Sequence, residues 1–316
     1  MRNTFPIPAK LFDETLNLKE ETKYSTIKAN KKGAKKIIPI KELTNLAELE
    51  KSPYKEKFFQ GATLEVITIA SDPDILSRAK KKWRIEISRN QIESTFKFYS
   101  FLNKDLIPFF LKRIRFVFLP INKNFAFNES YLRKYPKSTK LYHNLNRIYT
   151  GKKKSTSRIK NLIDNLNYWN KLEKQSKNSK WITVYNASGS NLKAAVINNE
   201  KHNLIIGSEN YYYSTPSEFE AYYLSGILNA PLFSKNIKLV KSSRHIHKRP
   251  FLFPIPIYSE KNEIHRKIAL KSRKYKTLVS DLVHNNPNIS SRKVRTLILH
   301  KLRKLDALVE KIVFQQ

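Results

Sequence analysis

Asp74 and Glu86 are the first residues along the chain whose types and spacing could do chemistry. Pro73-Asp74 followed by Glu86-Ile87-Ser88 has the carboxylate spacing of one common nuclease core, in which two carboxylates hold Mg²⁺ beside a phosphate. Such cores carry a lysine where Ser88 stands, and Asp74 reads equally as a helix-start or turn residue. His245-Ile246-His247 would place two imidazoles on one strand face, yet no third ligand is near. Arg244, Lys248 and Arg249 flank the pair and would repel a bound cation, so phosphate contact is the better reading. Ser188-Gly189-Ser190 lacks the flanking glycines of a nucleophile elbow and reads as a turn. The six glycines include no two within five residues of each other, so no phosphate- or nucleotide-cradling loop is present. The absence of cysteine removes disulfides, cysteine zinc sites and thiol nucleophiles.

The charge carries the stronger message. Lys and Arg number 61 against 26 Asp and Glu, a net +35 with neutral histidines. A folded chain this basic repels itself until a polyanion neutralises it, which points to nucleic acid before an anionic membrane surface. Hydrophobic content of 40% is ordinary for a globular protein and argues against global disorder. No apolar run approaches the roughly 20 residues of a membrane span. The first ten residues lack an apolar signal core, so a cytoplasmic location is expected. The strongest local patch read from the sequence is the acid-free run 235–249, with Lys235, Lys238, Lys241, Arg244, His247, Lys248 and Arg249. At helical spacing the three lysines share a face, with Ile237, Leu239 and Val240 turned mostly inward. A second patch covers residues 151–180, where Lys152, Lys153, Lys154 and Arg158 lead nine cations against Asp164 and Glu173.

Several elements must position these groups. Residues 64–69 form a β-rich run, and alternation at Trp83, Ile85 and Ile87, at Phe96 and Phe98, and through residues 113–119 predicts a sheet covered on one side. Leu162, Ile163, Leu166 and Trp169 give a helical stripe. Short strands are expected at 181–185, 194–197 and 204–206. Thr215, Pro216 and Glu218 read as a capping box, opening a helix that Asn229 and Pro231 end before another begins. Three prolines between 249 and 258 confine that segment to an edge or the surface. Two amphipathic helices close the chain. Ile264, Ile268, Tyr275, Leu278, Val279 and Leu282 line the first, and Val294, Ile298, Leu302, Leu305, Val309 and Ile312 line the second. They read equally as a hairpin closing a core or as a partner-docking surface. The expected class is α+β, with a basic lead-in at 1–50 (Lys28, Lys31, Lys32, Lys35 and Lys36), a β-rich domain with inserted helices at 51–258, and a C-terminal helical hairpin at 259–316.

Four ordered segments resemble one family. YKEKFFQGATL at 54–64, with Gln60 and Gly61, resembles the start of the target-recognition region of N6-adenine DNA methyltransferases of type I and type IIG restriction–modification and related phage-defence systems. VYNASGSNLKAAVI at 184–197, with Asn186, Ser188, Gly189 and Asn191, resembles the central segment of that region. SEFEAYYLSGILNAPL at 217–232, with Asn229 and Pro231, resembles its helix and the break after it. HIHKRPFLFPIPIY at 245–258, running towards His265, resembles the stretch that closes the domain. Residues 305–309 resemble the family's terminal helix. The family usually continues its first motif with Pro-Arg, where this chain has Glu65-Val66.

The resemblance implies a double-stranded DNA recognition module without methyl-transfer chemistry of its own. A methyltransferase needs a glycine-bearing cofactor loop and an Asp- or Asn-Pro-Pro-aromatic tetrapeptide. Asp72-Pro73-Asp74 and Asn286-Pro287-Asn288 lack the second proline and the aromatic. S-adenosylmethionine is therefore expected on a catalytic partner subunit, with the chain as a specificity subunit, one half of a split gene or a remnant. Two alternatives stand beside this expectation: a nonspecific nucleic-acid-binding protein, and a Mg²⁺-dependent nuclease using Asp74 and Glu86.

Overall fold

A computed structural model describes residues 66–175, 180–200, 204–240, 246 and 249–314, together with the backbone of three short strands nearer the N-terminus. Those strands are β1 (Ala9–Leu11), β2 (Tyr24–Ala29) and β3 (Lys35–Pro39), the last two forming a hairpin. The chain is α+β, built from helices and small antiparallel sheets. It divides into two compact units, one of residues 1–98 and 115–175, the other of residues 99–114 and 176–316.

In the first unit β4 (Val66–Ser71) lies between β1 and β5 (Asn90–Glu93). Ile67 pairs with Ile92 across the antiparallel ladder, and both are buried with Ile69. β6 (Lys97–Ser100) pairs with β9 (Arg115–Phe118). The helices are α1 (Pro73–Arg78), α2 (Glu129–Leu132), α3 (Pro136–Lys152) and α4 (Leu162–Leu166). Leu141, Tyr142 and Leu145 of α3 pack onto Ile67, Ile92, Phe96 and Phe118. The N-terminus of α3 has no cap from its own chain segment; Glu93 of β5 supplies one. Its carboxylate accepts from the backbone N–H of Lys137 at 3.1 Å and of Ser138 at 2.8 Å. A buried anion there satisfies orphan donors and faces the positive end of the helix dipole.

Two expectations fail in this unit. Trp83, Ile85 and Ile87 do not form a strand: a 3-10 turn spans Lys81–Trp83 and irregular chain follows. Ser71 takes the bonds a strand partner would have taken. Its Oγ donates to the Ile85 carbonyl at 3.2 Å and accepts from the Ile87 N–H at 2.8 Å. The helical stripe through Trp169 also breaks. α4 ends at Leu166, a 3-10 turn covers Tyr168–Asn170, and Trp169 is turned out to solvent at 70% exposure.

The second unit holds a sheet of order β11-β10-β12, from β10 (Trp181–Asn186), β11 (Ala194–Asn198) and β12 (Asn210–Thr215), beside a small hairpin of β7 (Leu106–Ile107) and β8 (Phe110–Leu111). β10 is central and buried on both faces. Tyr185 points into one core, while Ile182 and Val184 point into the other. The strand expected at 204–206 is only a bridge between Leu204 and Tyr99; tyrosine-rich β12 takes the edge position instead. Helices α5 (Glu218–Asn229), α6 (Pro231–Val240), α7 (Glu263–Asn285), α8 (Ser291–Ile298) and α9 (Arg303–Val313) complete the unit.

The cap of α5 is Ser217, whose side chain accepts the Glu220 N–H at 3.2 Å. Thr215, expected as the cap, is the last residue of β12, and its Oγ1 accepts the Ser217 N–H. The break between α5 and α6 falls at Ala230, as Asn229 and Pro231 predict. Leu239, expected to face inward, is 80% exposed, while Ile237 is buried. Of the side chains that periodicity marks in the closing helices, Ile268, Tyr275 and Val279 of α7, and Val294, Ile298, Leu302, Leu305, Val309 and Ile312 after the break, are buried in one core with α5, while Ile264, Leu278 and Leu282 are half-buried against it. The hairpin therefore closes this unit's own core.

Candidate nucleic-acid interface

The first unit gathers its cations around α3. Ser138, Leu141, Tyr142, Leu145 and Tyr149 bury one side of that helix. Lys137, Lys140, Asn144 and Arg147 recur at intervals of three and four residues on the other and are exposed. No acid occurs from residue 130 to residue 163, a stretch with ten Lys and Arg against six in residues 235–249. The basic patch expected at 151–180 takes in only the second half of that stretch; the gap between Glu129 and Asp164 is the sequence signal that marks the rest. Lys137 donates to the side-chain oxygen of Gln91, and Arg147 donates to Asn144 at 3.1 Å. Both bonds leave the cationic face polar and unneutralised.

At the end of α3 and beyond it stand the predicted Lys152, Lys153, Lys154 and Arg158. Lys152, Lys154 and Arg158 are exposed, and Lys153 is the half-buried C-cap residue. Folding adds a second run that sequence separation concealed. Lys82 Nζ donates to the Lys152 carbonyl at 3.4 Å, and Trp83 stacks on Tyr149 with ring centroids 5.7 Å apart. The exposed Lys80, Lys81 and Lys82 thus sit at the C-terminal end of α3. A cation there also satisfies the negative end of the helix dipole, which accounts for Lys82 alone but not for its neighbours.

In the second unit Lys235 and Lys238 are exposed on α6, the helix that predicts a shared face for them. Arg249 opens a 3-10 turn and is half-buried. Ile246 is buried, and its N–H donates to the Ala187 carbonyl at 3.0 Å. Lys241, Arg244, His247 and Lys248 lie outside the described residues, as do Gln60, Gly61 and the lead-in lysines' side chains.

The remaining motif residues serve the scaffold of the second unit. Asn186 is buried and closes the β10–β11 turn: its Nδ2 donates to the carbonyls of Ser188 at 2.8 Å and Asn191 at 3.0 Å, and its Oδ1 accepts the Lys193 N–H at 2.9 Å. Gly189 sits at φ +141°, and a Cβ there would meet Asn186 Nδ2 at 3.0 Å, so the turn needs glycine. Asn229 clamps β11 to the end of α5. It accepts from the Ala194 N–H at 3.0 Å and donates to the Ala194 carbonyl at 2.8 Å and the Ser225 carbonyl at 2.9 Å. Pro231 begins α6, where the Leu232 N–H donates to Asp306 of α9 at 3.0 Å. Burial raises the pKa of that aspartate, and the Leu232 N–H opposes the rise.

The chemistry-bearing candidates are otherwise engaged. Asp74 accepts from Arg78 at 3.2 Å and from buried Arg115 at 3.0 Å, while Arg115 also reaches Asp72 at 2.6 Å. Two guanidiniums occupy the carboxylate that a Mg²⁺ reading requires, and Glu86 is exposed. Among the described residues no three His, Asp or Glu side chains are grouped to hold a metal. Lys193 has its ammonium buried against the carbonyls of Asn103 at 2.5 Å and Leu106 at 2.6 Å. Desolvation brings its pKa down to about 8, against the pull of Asp105 and Glu209. Among the described residues no helix is long and apolar enough to cross a membrane. Compared with known proteins, the chain matches no family model and no curated protein.

Proposed function

We propose that this chain is the DNA target-recognition module of an adenine-specific DNA methyltransferase system, acting in the cytoplasm with a catalytic subunit that holds S-adenosylmethionine. The observation that carries this reading is the exposed, acid-free face of α3, continued by Lys152, Lys154 and Arg158 and joined by Lys80 to Lys82. Such a face attracts a phosphate backbone, and each phosphate neutralised releases counterions. Phosphate contacts fix register and orientation, and side chains on adjoining loops read base edges. The ordered motifs around Asn186 and Asn229 support the same role, because they fix strand β11 to helix α5 and so give the second unit a rigid frame. This chain supplies site choice, and the partner supplies methyl transfer to a base taken out of the helix.

Selection from a pool of random duplexes at about 0.15–0.2 M salt, with competitor present, tests the reading. Recovery of a short consensus, enriched roughly 10³-fold or more, is the expected result. Retention without a consensus, persisting when a methyltransferase catalytic subunit is added, would leave a nonspecific nucleic-acid-binding protein.

A further inference from the structure

The turn after α4 holds an aromatic pair that the first unit's core does not use. Tyr168 and Trp169 stack with centroids 4.7 Å apart and planes 27° from parallel. Trp169 is 70% exposed and Tyr168 46%. Lys171 Nζ lies 4.9 Å from the centre of the indole. The backbone works to keep the pair outside. Trp169 and Asn170 are both left-handed, with φ of +59° and +58°. For residues with a Cβ this conformation is unfavourable and persists only where the surroundings impose it. Asn167 imposes it: its carbonyl accepts the Asn170 N–H at 2.7 Å, and its side chain accepts the N–H of Leu172 at 3.1 Å and of Glu173 at 3.3 Å. Leu172, nearly fully buried, pins the far end. An ordinary helix through this turn would have put the indole on the Leu162–Leu166 stripe.

A flat, fixed, solvent-facing aromatic pair with a lysine ammonium over its indole, in a basic unit, has the chemistry of a nucleobase stacking platform. We propose that Tyr168 and Trp169 stack an unpaired base of DNA, with Lys171 swinging off the indole to an adjacent phosphate, so that the chain holds a locally opened strand as well as a duplex. Duplex DNA buries the faces of its bases against one another, and only an unpaired base offers one to the platform. The inference rests on the reading of the chain as a DNA-binding module, and names the conformation of DNA that it takes.

The test uses the full chain with a short oligothymidine strand and a duplex of equal length, followed by anisotropy and tryptophan emission. The expected result is quenching of emission by the single strand. In W169A single-strand affinity should fall by about 5- to 100-fold, the worth of one base on an aromatic ring, with duplex affinity within twofold of wild type. W169F should recover most of the loss. Because the indole is exposed and left-handed, W169G should melt no lower than wild type, which separates lost stacking from lost fold. Unchanged single-strand affinity in W169A, with duplex binding intact, would overturn the platform and leave the DNA reading standing. Binding to neither form would overturn both.

Discussion

Asn229 shows how much one polar side chain holds in this protein. It is buried and bonded to both backbone groups of Ala194, so it stands in for a ladder partner between strand β11 and helix α5. Removing it leaves a buried N–H without an acceptor, which costs about 1–3 kcal/mol for each orphaned group. Asn229→Ala should therefore lower the unfolding free energy by at least about 2 kcal/mol in urea titrations. Asn229→Asp should not rescue it, because a carboxylate would face the Ala194 and Ser225 carbonyls that the amide now donates to. Both variants unfolding within about 0.5 kcal/mol of wild type would refute the clamp. Lys193 gives a pH signature. Its folded pKa of about 8 lies below the ordinary lysine value, so the unfolded chain holds the proton more tightly. Stability from this group is missing below pH 8 and accrues as pH rises from 8 towards 10.5, by up to about 3 kcal/mol. The difference in stability between wild type and Lys193→Met should widen in favour of wild type across that range. A difference that is flat from pH 7.5 to 10 would show that the ammonium is not desolvated as described.

At the scale of elements, the packing of α5 on α7 is set by a missing side chain. A Cβ on Gly226 would stand 2.7 Å from Ile268 Cγ2 and 3.4 Å from the Ile268 carbonyl. Gly226→Ala gains up to about 1 kcal/mol of helix propensity, but overpacking costs about 1–3 kcal/mol and wins because Ile268 is fully buried. The variant should melt lower, and Ile268→Leu beside it, which removes the β-branch that carries Cγ2 at nearly constant volume, should restore part of the loss. A melting temperature at or above wild type for Gly226→Ala alone would mean that the helices can part freely. The closing helices were legible in the sequence because burial on one side imposes a period of 3.6: of the marked residues from Ile268 to Ile312, Leu278 and Leu282 are half-buried and the rest are buried. The break at Asn229 and Pro231 was legible because proline forces it. Elements governed by distant partners were not: Ser71 takes the bonds that would have made residues 83–87 a strand, and Asn167 bends Trp169 off its stripe. The α5 cap moved from Thr215 to Ser217 because β12 claims the threonine. For the candidate interface, the lysines of residues 152–154 could be read directly, whereas Lys80 to Lys82 join them only through the Trp83–Tyr149 stack and the bond to the Lys152 carbonyl.

The whole molecule carries +35, and its own folding must overcome that repulsion. A polyanion that binds the folded chain relieves it, so DNA should raise the melting temperature, by an amount worth about 2.7 kcal/mol at a hundredfold excess over Kd. Long-range charge also makes binding sensitive to salt. If the basic surfaces neutralise about six to ten phosphates, the logarithm of affinity should fall with the logarithm of salt at a slope of about −5 to −9. Lys137, Lys140 and Arg147 project from the exposed side of α3, opposite the residues that pack on the core, so replacing them should leave the fold intact. Lys140→Gln with Arg147→Gln should weaken binding to all duplexes alike and reduce the slope by about 1 for each phosphate no longer neutralised. Lys235→Gln with Lys238→Gln, on α6 of the other unit, makes the same measurement on the second surface. A shallower slope in both pairs would mean that phosphates are held by both units, and a shallower slope in one alone would assign the backbone-binding surface to that unit. Two unchanged slopes at unchanged stability would place the phosphate-binding surface elsewhere on the molecule and remove α3 as the interface.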